Sequence, residues 1–419
     1  MRLHEALALL LLLCIHGGAE AGGDGFVRVQ GTHFVLNGNP FFANGFNAYW
    51  LMTLGADPSQ RSKVTSALSQ AAGAGLSVAR TWAFSDGGSN ALQYSPGRYN
   101  ENTFQGLDFV LSEARKHGIK MILSLVNSYD SFGGRKQYVQ WAREQGQSIG
   151  SNDEFFTNPV VKGFYKNHIK TVLTRVNTIT GVAYKDDPTI MAWELMNEPR
   201  CQSDLSGRTI QSWITEMAAH VKSIDARHLL EAGLEGFYGG GASSSKNPSG
   251  YQVGTDFIAN NQAPGIDFAT VHAYPDQWLA PGVDDAASQL RFLGGWLDAH
   301  VADARAKLGK PLVVAEFGAS RRSGGGGEEQ RDAVFGEVYA KVYQSARARG
   351  PAAGALFWQL LAEGMDSYGD GYEVVLGQAP ATDGVIATQS RRLQGLARAF
   401  KQARRRNGKA GKGAKGGSN

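Results

Sequence analysis

Cysteine is almost absent: the 419 residues include two, Cys14 and Cys201. Cys14 lies in an N-terminal segment that reads as removable, which leaves Cys201 with no intramolecular partner and excludes a disulfide-stapled fold. A chain of this length buries enough core to manage without one. Cys201 stands three residues past Glu198, yet no His-containing motif accompanies it, so it reads as a small buried filler. The glycosylation signal Asn-x-Ser/Thr is missing too, because its one near match, Asn247-Pro248-Ser249, carries the excluded proline. Neither His-Glu-x-x-His nor clustered Cys/His spacing occurs outside the N-terminal segment, so no metal and no cofactor is expected. Gly239 to Gly241 and Gly324 to Gly327 are glycine runs without the G-x-G-x-x-G or Gly-Lys-Ser/Thr pattern that cradles phosphates, and they read as flexible loops. No apolar run is long enough to span a bilayer.

Targeting and charge sit at the two ends. Arg2 and His4 precede the apolar stretch Ala6 to Ile15, and Ala19-Glu20-Ala21 fits the small-x-small cleavage pattern, so residues 1–21 are expected to be a signal peptide of a secreted, extracellular protein. At the other end Lys401, Arg404, Arg405, Arg406, Lys409, Lys412 and Lys415 carry seven positive charges with no acidic residue among them. The formal net charge is +4, so without those seven the remainder stands at −3. Residues 401–419 are expected to be a basic disordered tail. Nucleic acid is a poor partner for an exported chain. Weak contact of the tail with acidic wall polymers is the alternative to a merely solvated end. A monomer is expected.

Between the ends, β-branched apolar runs alternate with amphipathic stretches. Candidate strands are Phe41 to Phe46, Ser77 to Phe84, Lys120 to Val126, Thr189 to Met196, Leu229 to Leu234, Phe268 to Tyr274, Leu312 to Phe317 and Ala355 to Leu360. Candidate helices are Gln60 to Ala74, Thr103 to His117, Val160 to Val176, Thr209 to Ile224, Ala286 to Leu308 and Glu328 to Arg347. Eight strands with intervening helices predict an α/β fold, a (β/α)₈ TIM barrel, as one catalytic domain over residues 22–400. The segment Asn127 to Asn158, rich in Gly, Ser and aromatics, is expected to wall the pocket.

Strand ends of such a barrel converge on one site. There the sequence places Arg80 and Trp82, Asn197 and Glu198, His272 and Tyr274, Glu316, and Trp358. Two carboxylates facing one bond suit glycoside hydrolysis, one protonated and one ionised. Arg80 and the Tyr274 hydroxyl favour ionisation of Glu316. Pro199 predicts extended backbone at Glu198. Trp82 and Trp358 offer flat apolar faces to a sugar ring, and Asn197 an amide for its 2-hydroxyl.

The strings N-E-P at Asn197 to Pro199, H-A-Y at His272 to Tyr274, E-F-G at Glu316 to Gly318 and F-W at Phe357-Trp358 resemble glycoside hydrolase family five. R-T-W-A-F-S-D-G, W-E-L-M-N-E-P-R-C, G-L-E-G-F-Y-G, H-A-Y-P-D-Q-W and F-W-Q-L are similar to the plant endo-β-1,4-mannanases within it, from about Phe26 to about Phe400. The resemblance implies a retaining mechanism on mannan-type polysaccharides in the plant cell wall. It implies Glu198 as acid/base, Glu316 as nucleophile, and Trp82, Asn197, Tyr274 and Trp358 as substrate contacts. Arg80 and His272 are then supporting residues. A mannan transglycosylase, a β-1,4-glucanase of the same fold and a noncatalytic polysaccharide-binding barrel remain the alternatives.

Overall fold

The computed structural model describes residues 23–240, 242–279, 285–322 and 327–413. The expected signal peptide lies outside these residues. Eight parallel strands form the central sheet: β1 (Ala43–Asn47), β2 (Val78–Trp82), β3 (Lys120–Ser124), β4 (Ile190–Glu194), β5 (Leu229–Glu231), β6 (Ala269–Ala273), β7 (Leu312–Phe317) and β8 (Ala352–Phe357). They neighbour one another as β5-β4-β3-β2-β1-β8-β7-β6. The seam between β5 and β6 is bridged by Asp267 N–H to Leu230 O (2.8 Å) and His272 N–H to Glu235 O (2.9 Å), which closes the barrel. A TIM barrel is what the alternation predicted.

Local chemistry sets the outer helices. Glu101–His117 starts at Asn100, whose side chain accepts from Asn102 N–H, carries Glu101 in its first turn and Arg115, Lys116 and His117 in its last, and stops at Gly118 with φ +69°. Its buried Phe104, Leu107, Val110, Leu111 and Ala114 repeat at helical spacing and face the barrel. The expected wall segment holds a helix of its own, Gly134–Glu144, and a short turn of helix at Asn152–Phe156.

The floor of the barrel is covered by an antiparallel sheet of Val27–Gln30, His33–Leu36 and Asn39–Phe41. Phe34 packs edge-on against Phe268 (5.3 Å), in an apolar layer with Val78, Ile122 and Val313. The last helix, Pro380–Gly413, touches this sheet, where Arg404 donates to Gly38 O (2.9 Å). The disordered tail expected from residue 401 therefore gives way to helix as far as Gly413. Lys401 to Arg406 favour helix intrinsically, and the Arg404 contact holds the start of the run down.

Candidate active site

The C-terminal strand ends hold a cleft of about 530 Å³ whose lining includes Trp82, Asn197, Glu198, Tyr274, Glu316 and Trp358. A smaller cavity of about 280 Å³ lies at the opposite end, lined by Phe34, Phe42, Arg349 and Phe400 among others, and shares none of these groups. All eight residues singled out in the sequence come together at the first. Six line the cleft, and Arg80 and His272 lie fully buried behind it.

Arg80 organises the site. Its guanidinium donates Nε and Nη2 to Glu194 (2.5 and 2.7 Å), Nη1 to Glu316 Oε1 (2.6 Å) and to Asn47 Oδ1 (3.0 Å), and Nη2 to Asn197 Oδ1 (2.7 Å). A planar fork suits that task, since each carboxylate meets a fixed N–H direction. Glu316 accepts a second bond, from the Tyr274 hydroxyl (2.7 Å). Register breaks on both edges of β7 aim it. The β6 pairing shifts between Val271 and His272, leaving His272 opposite Glu316, and the β8 pairing skips from Val314 to Phe317.

Glu198 lies just past β4, where pairing continues through a bridge between Asn127 and Asn197. The extended backbone expected from Pro199 is not what forms: φ is +51°, in the left-handed region. Tertiary bonds outweigh the local preference, with Glu198 N–H donating to Gly233 O (2.9 Å) and Asn197 N–H to Val126 O (2.8 Å). Gly233 has no freedom there, because a Cβ on it would fall 1.7 Å from Met196 O. Glu198 Oε1 meets His272 Nδ1 at 2.5 Å.

Protonation follows from these contacts. Burial lifts the Glu316 carboxyl above its ordinary value and the charge of Glu198 adds to the rise, while His272, Arg80 and Tyr274 pull it down. Beside a charged His272, Glu198 moves oppositely. Burial pushes it up, but the hydrogen bond and charge of the ring, with Arg200 and Tyr129, hold it low. His272 Nε2 is buried with no partner among the described residues. Burial pushes the His272 ring down, but the charge of Glu316 and the hydrogen bond and charge of Glu198 raise it above its ordinary value; Nδ1–H donates to Glu198 Oε1. These directions set Glu198 below Glu316, the reverse of what an acid and a nucleophile need; two carboxyls in one dry site share a single charge, and Arg80 at 2.6 Å favours placing it on Glu316 with the proton on Glu198.

Glu198, His272 and Glu316 each offer a ligating atom within 4.8 Å of the others. Arg80 at 2.6 Å from Glu316 opposes a metal cation there. Carboxylate oxygens of Glu198 and Glu316 within 4.8 Å of each other leave one carboxylate in reach of the bond as a nucleophile, inside the roughly 6.5–9.5 Å that leaves room for a water between them.

Aromatic faces complete the cleft. Trp358 stacks on Tyr49 (5.9 Å, 15°) and leans on Trp82 (6.1 Å, 38°), and its Nε1 donates to Asp370 (2.7 Å). Tyr129 and Phe132, from the expected wall segment, are 40% and 37% exposed and line the cleft. Asn197 spends Oδ1 on Arg80 and one N–H on Asn127 (3.1 Å), leaving one N–H.

Sequence reasoning missed Asn47, Arg200 and Glu235. Arg200 pairs with Glu235 (2.5 and 2.8 Å) on the cleft wall. Applying the strand-end rule to β1 and β5 would have found Asn47 and Glu235. Cys201 is buried, as expected of a filler.

Known proteins resemble the chain over nearly its whole length. It is 72% identical to mannan endo-1,4-beta-mannosidase 1 of Oryza sativa subsp. japonica, over 98% of this chain and 97% of that protein. It is 60% identical to mannan endo-1,4-beta-mannosidase 7 of Arabidopsis thaliana, over 96% and 93%. Among solved structures, the endo-1,4-beta-mannanase of Rhizomucor miehei superposes with a TM-score of 0.74 at 30% identity, covering 89% of this chain and 99% of that one. The endo-beta-1,4-mannanase of Thermotoga petrophila gives 0.73 at 29% identity, over 85% and 77%. The model of the GH family 5 beta-mannosidase-like proteins matches residues 24–367, and the chain belongs to that family.

Proposed function

We propose that the chain is an endo-acting, retaining β-1,4-mannanase that cleaves internal bonds of mannan, glucomannan and galactomannan. The carrying observation is the pair Glu198 and Glu316, set within 4.8 Å with Arg80 on one partner and His272 on the other. Glu316 attacks the anomeric carbon while Glu198 gives its Oε2 proton to the departing glycosidic oxygen, leaving the sugar esterified to Glu316. Glu198, now a carboxylate, takes a proton from water, whose oxygen displaces Glu316 and restores the original configuration. Trp82, Trp358, Asn197 and Tyr274 contact the substrate, and Arg80 and His272 position the carboxylates. The names of the relatives support the choice of mannan. The leader-like N-terminus and the wall location of such polymers support secretion into the cell wall, and the basic C-terminal run supports weak contact with acidic wall polymers.

Role assignment is tested by azide. Glu316→Ala is expected to lose turnover and regain part of it with azide on an activated substrate, giving the α-azide. Glu198→Ala is expected to form the glycosyl enzyme with activated leaving groups and to release the β-azide. Exchanged anomers by NMR reverse the roles. Incubation with mannan, cellulose and labelled oligosaccharide acceptors separates hydrolysis of mannan from glucan cleavage, from transglycosylation and from binding alone.

A further inference from the structure

Below the nucleophile the barrel holds two carboxyl groups the reaction does not use. Glu194 ends β4 and Glu231 ends β5, and the strand register sets them side by side. Both are fully buried. Glu194 is claimed by Arg80 through two hydrogen bonds (2.5 and 2.7 Å). Glu231 has weaker company: Oε2 accepts from Gly233 N–H and from the Thr270 hydroxyl at 3.4 Å, and Oε1 has no donor in reach. The register pair Glu231 and Glu194 nevertheless puts the two side chains next to each other on one face of the sheet. Two carboxylates side by side in a dry site repel unless one of them carries a proton.

We infer that Glu231 is a neutral carboxylic acid whose O–H donates to Glu194, making it a positioning residue that acts on the nucleophile through Glu194 and Arg80. The location of the proton follows from the guanidinium fork, which binds an anion and so keeps Glu194 ionised. The charged and titratable neighbours agree. Glu231 is pushed well above the carboxylate range by burial and then by the charge of Glu194, with Arg80 opposing. Glu194 is raised by burial but brought down to about 2 by Arg80 and by the Glu231 hydrogen bond. From β6 only the uncharged Thr270 hydroxyl reaches Glu231.

The consequence concerns how Arg80 divides itself. It faces Glu194 and Glu316 with one positive charge. Were Glu231 ionised, a further anion would compete for that charge and raise the Glu316 carboxyl. As a neutral donor it stabilises Glu194 in place and leaves the Arg80 Nη1 bond to Glu316 undisturbed. This role rests on the reading of Glu316 as nucleophile, although the protonation state does not.

Infrared spectroscopy separates the two. The difference spectrum between wild type and Glu231→Gln, recorded at about pH 8 in the absence of substrate, is expected to contain a protonated-carboxyl stretch that moves in deuterium oxide. A difference confined to ionised carboxylate bands overturns the inference. Kinetics test the positioning role. Glu231→Gln keeps a neutral donor, so kcat and the acidic limb of the pH profile stay within about twofold of wild type. Glu231→Met removes the donor, so kcat falls about tenfold or more with KM nearly unchanged, and the acidic limb moves up. Equal kcat and pH profiles in Glu231→Gln and Glu231→Met, both folded by circular dichroism, overturn the positioning role and leave the reading of Glu316 intact. Loss of the azide result for Glu316 overturns that reading and leaves the infrared result intact.

Discussion

Replacing Arg80 with lysine keeps the charge and removes the fork. The guanidinium makes five hydrogen bonds, to Glu194, Glu316, Asn47 and Asn197, from a fully buried position. An ammonium has three N–H groups on one atom and a shorter reach, so it cannot serve two carboxylates and two amides at once. If it settles on Glu194, Glu316 loses a charge-assisted hydrogen bond worth about 1.5–3 kcal/mol. One pKa unit corresponds to about 1.36 kcal/mol, so the Glu316 carboxyl rises by about 1–2 units. The sign on activity is fixed, because the nucleophile must be ionised. The acidic limb of kcat/KM moves up by about 1–2 units, and at pH values below both limbs activity falls about 10- to 100-fold, with a smaller loss above them. Stability also falls, by about 3 kcal/mol or more if one buried carboxylate is left unpaired. The assay is kcat/KM against pH on soluble mannan, alongside urea unfolding. An unchanged acidic limb in a folded Arg80→Lys protein would refute the claim that the fork holds the nucleophile ionised.

Other expectations are as direct. Burial, then the charge of Glu198, lifts the Glu235 carboxyl to about 7 against the pull of Arg200, so its charge appears as pH rises through neutrality and helps Glu198 hold its proton. Glu235→Gln is therefore expected to shift the alkaline limb of kcat/KM down by about 0.5–1 unit, and an upward shift or none contradicts this. Gly233→Ala, which puts a methyl 1.7 Å from Met196 O at φ +84°, is expected to cost about 2–4 kcal/mol in urea unfolding and to lower kcat by displacing Glu198; wild-type values in both would show the loop free to adjust. Removing residues 402–419 takes away the Arg404 contacts to Gly38 and Gln30, at about 1 kcal/mol of stability, and leaves activity on soluble mannan within about twofold. Binding of full-length and truncated protein to pectin-rich wall material at low and high salt tests the tail, and equal binding eliminates its role in retention.

The eight strands and six helices were legible because each carries a run or a period long enough to register. Ile190–Glu194 and Leu312–Phe317 are short and buried throughout, and their length and apolar run, with Val313 and Val314 in the second, separate them from helix. Helix Gly134–Glu144 was hidden for a physical reason. It begins after Gly133 at φ +86° with no side-chain cap, and its buried Tyr138, Val139, Trp141 and Ala142 fall within one short span. Of the C-terminal helix, residues 380–400 were placed in the barrel domain without a helix assigned, and the part from Lys401 was read as tail because charge, not apolar spacing, dominates its last turns. At the site, strand-end position and residue type sufficed for Arg80, Asn197, His272 and Tyr274. Glu194 and Glu231 were not legible, since whether a carboxyl near a strand's end points inward depends on the register of its neighbours. The backbone of Glu198 was misread because Pro199 is local evidence and Gly233 is not.

The docking of Arg404 on the floor sheet also fixes an orientation. The basic helix leaves the barrel at the end opposite the catalytic cleft, so any surface or polyanion that grips Lys401 to Lys409 holds the molecule by its base with the mouth facing away. A resin coupled there would leave the cleft open to soluble polymer. A wall matrix gripping the same helix would present the cleft to chains lying a molecular diameter off, not to the strand it is moored on.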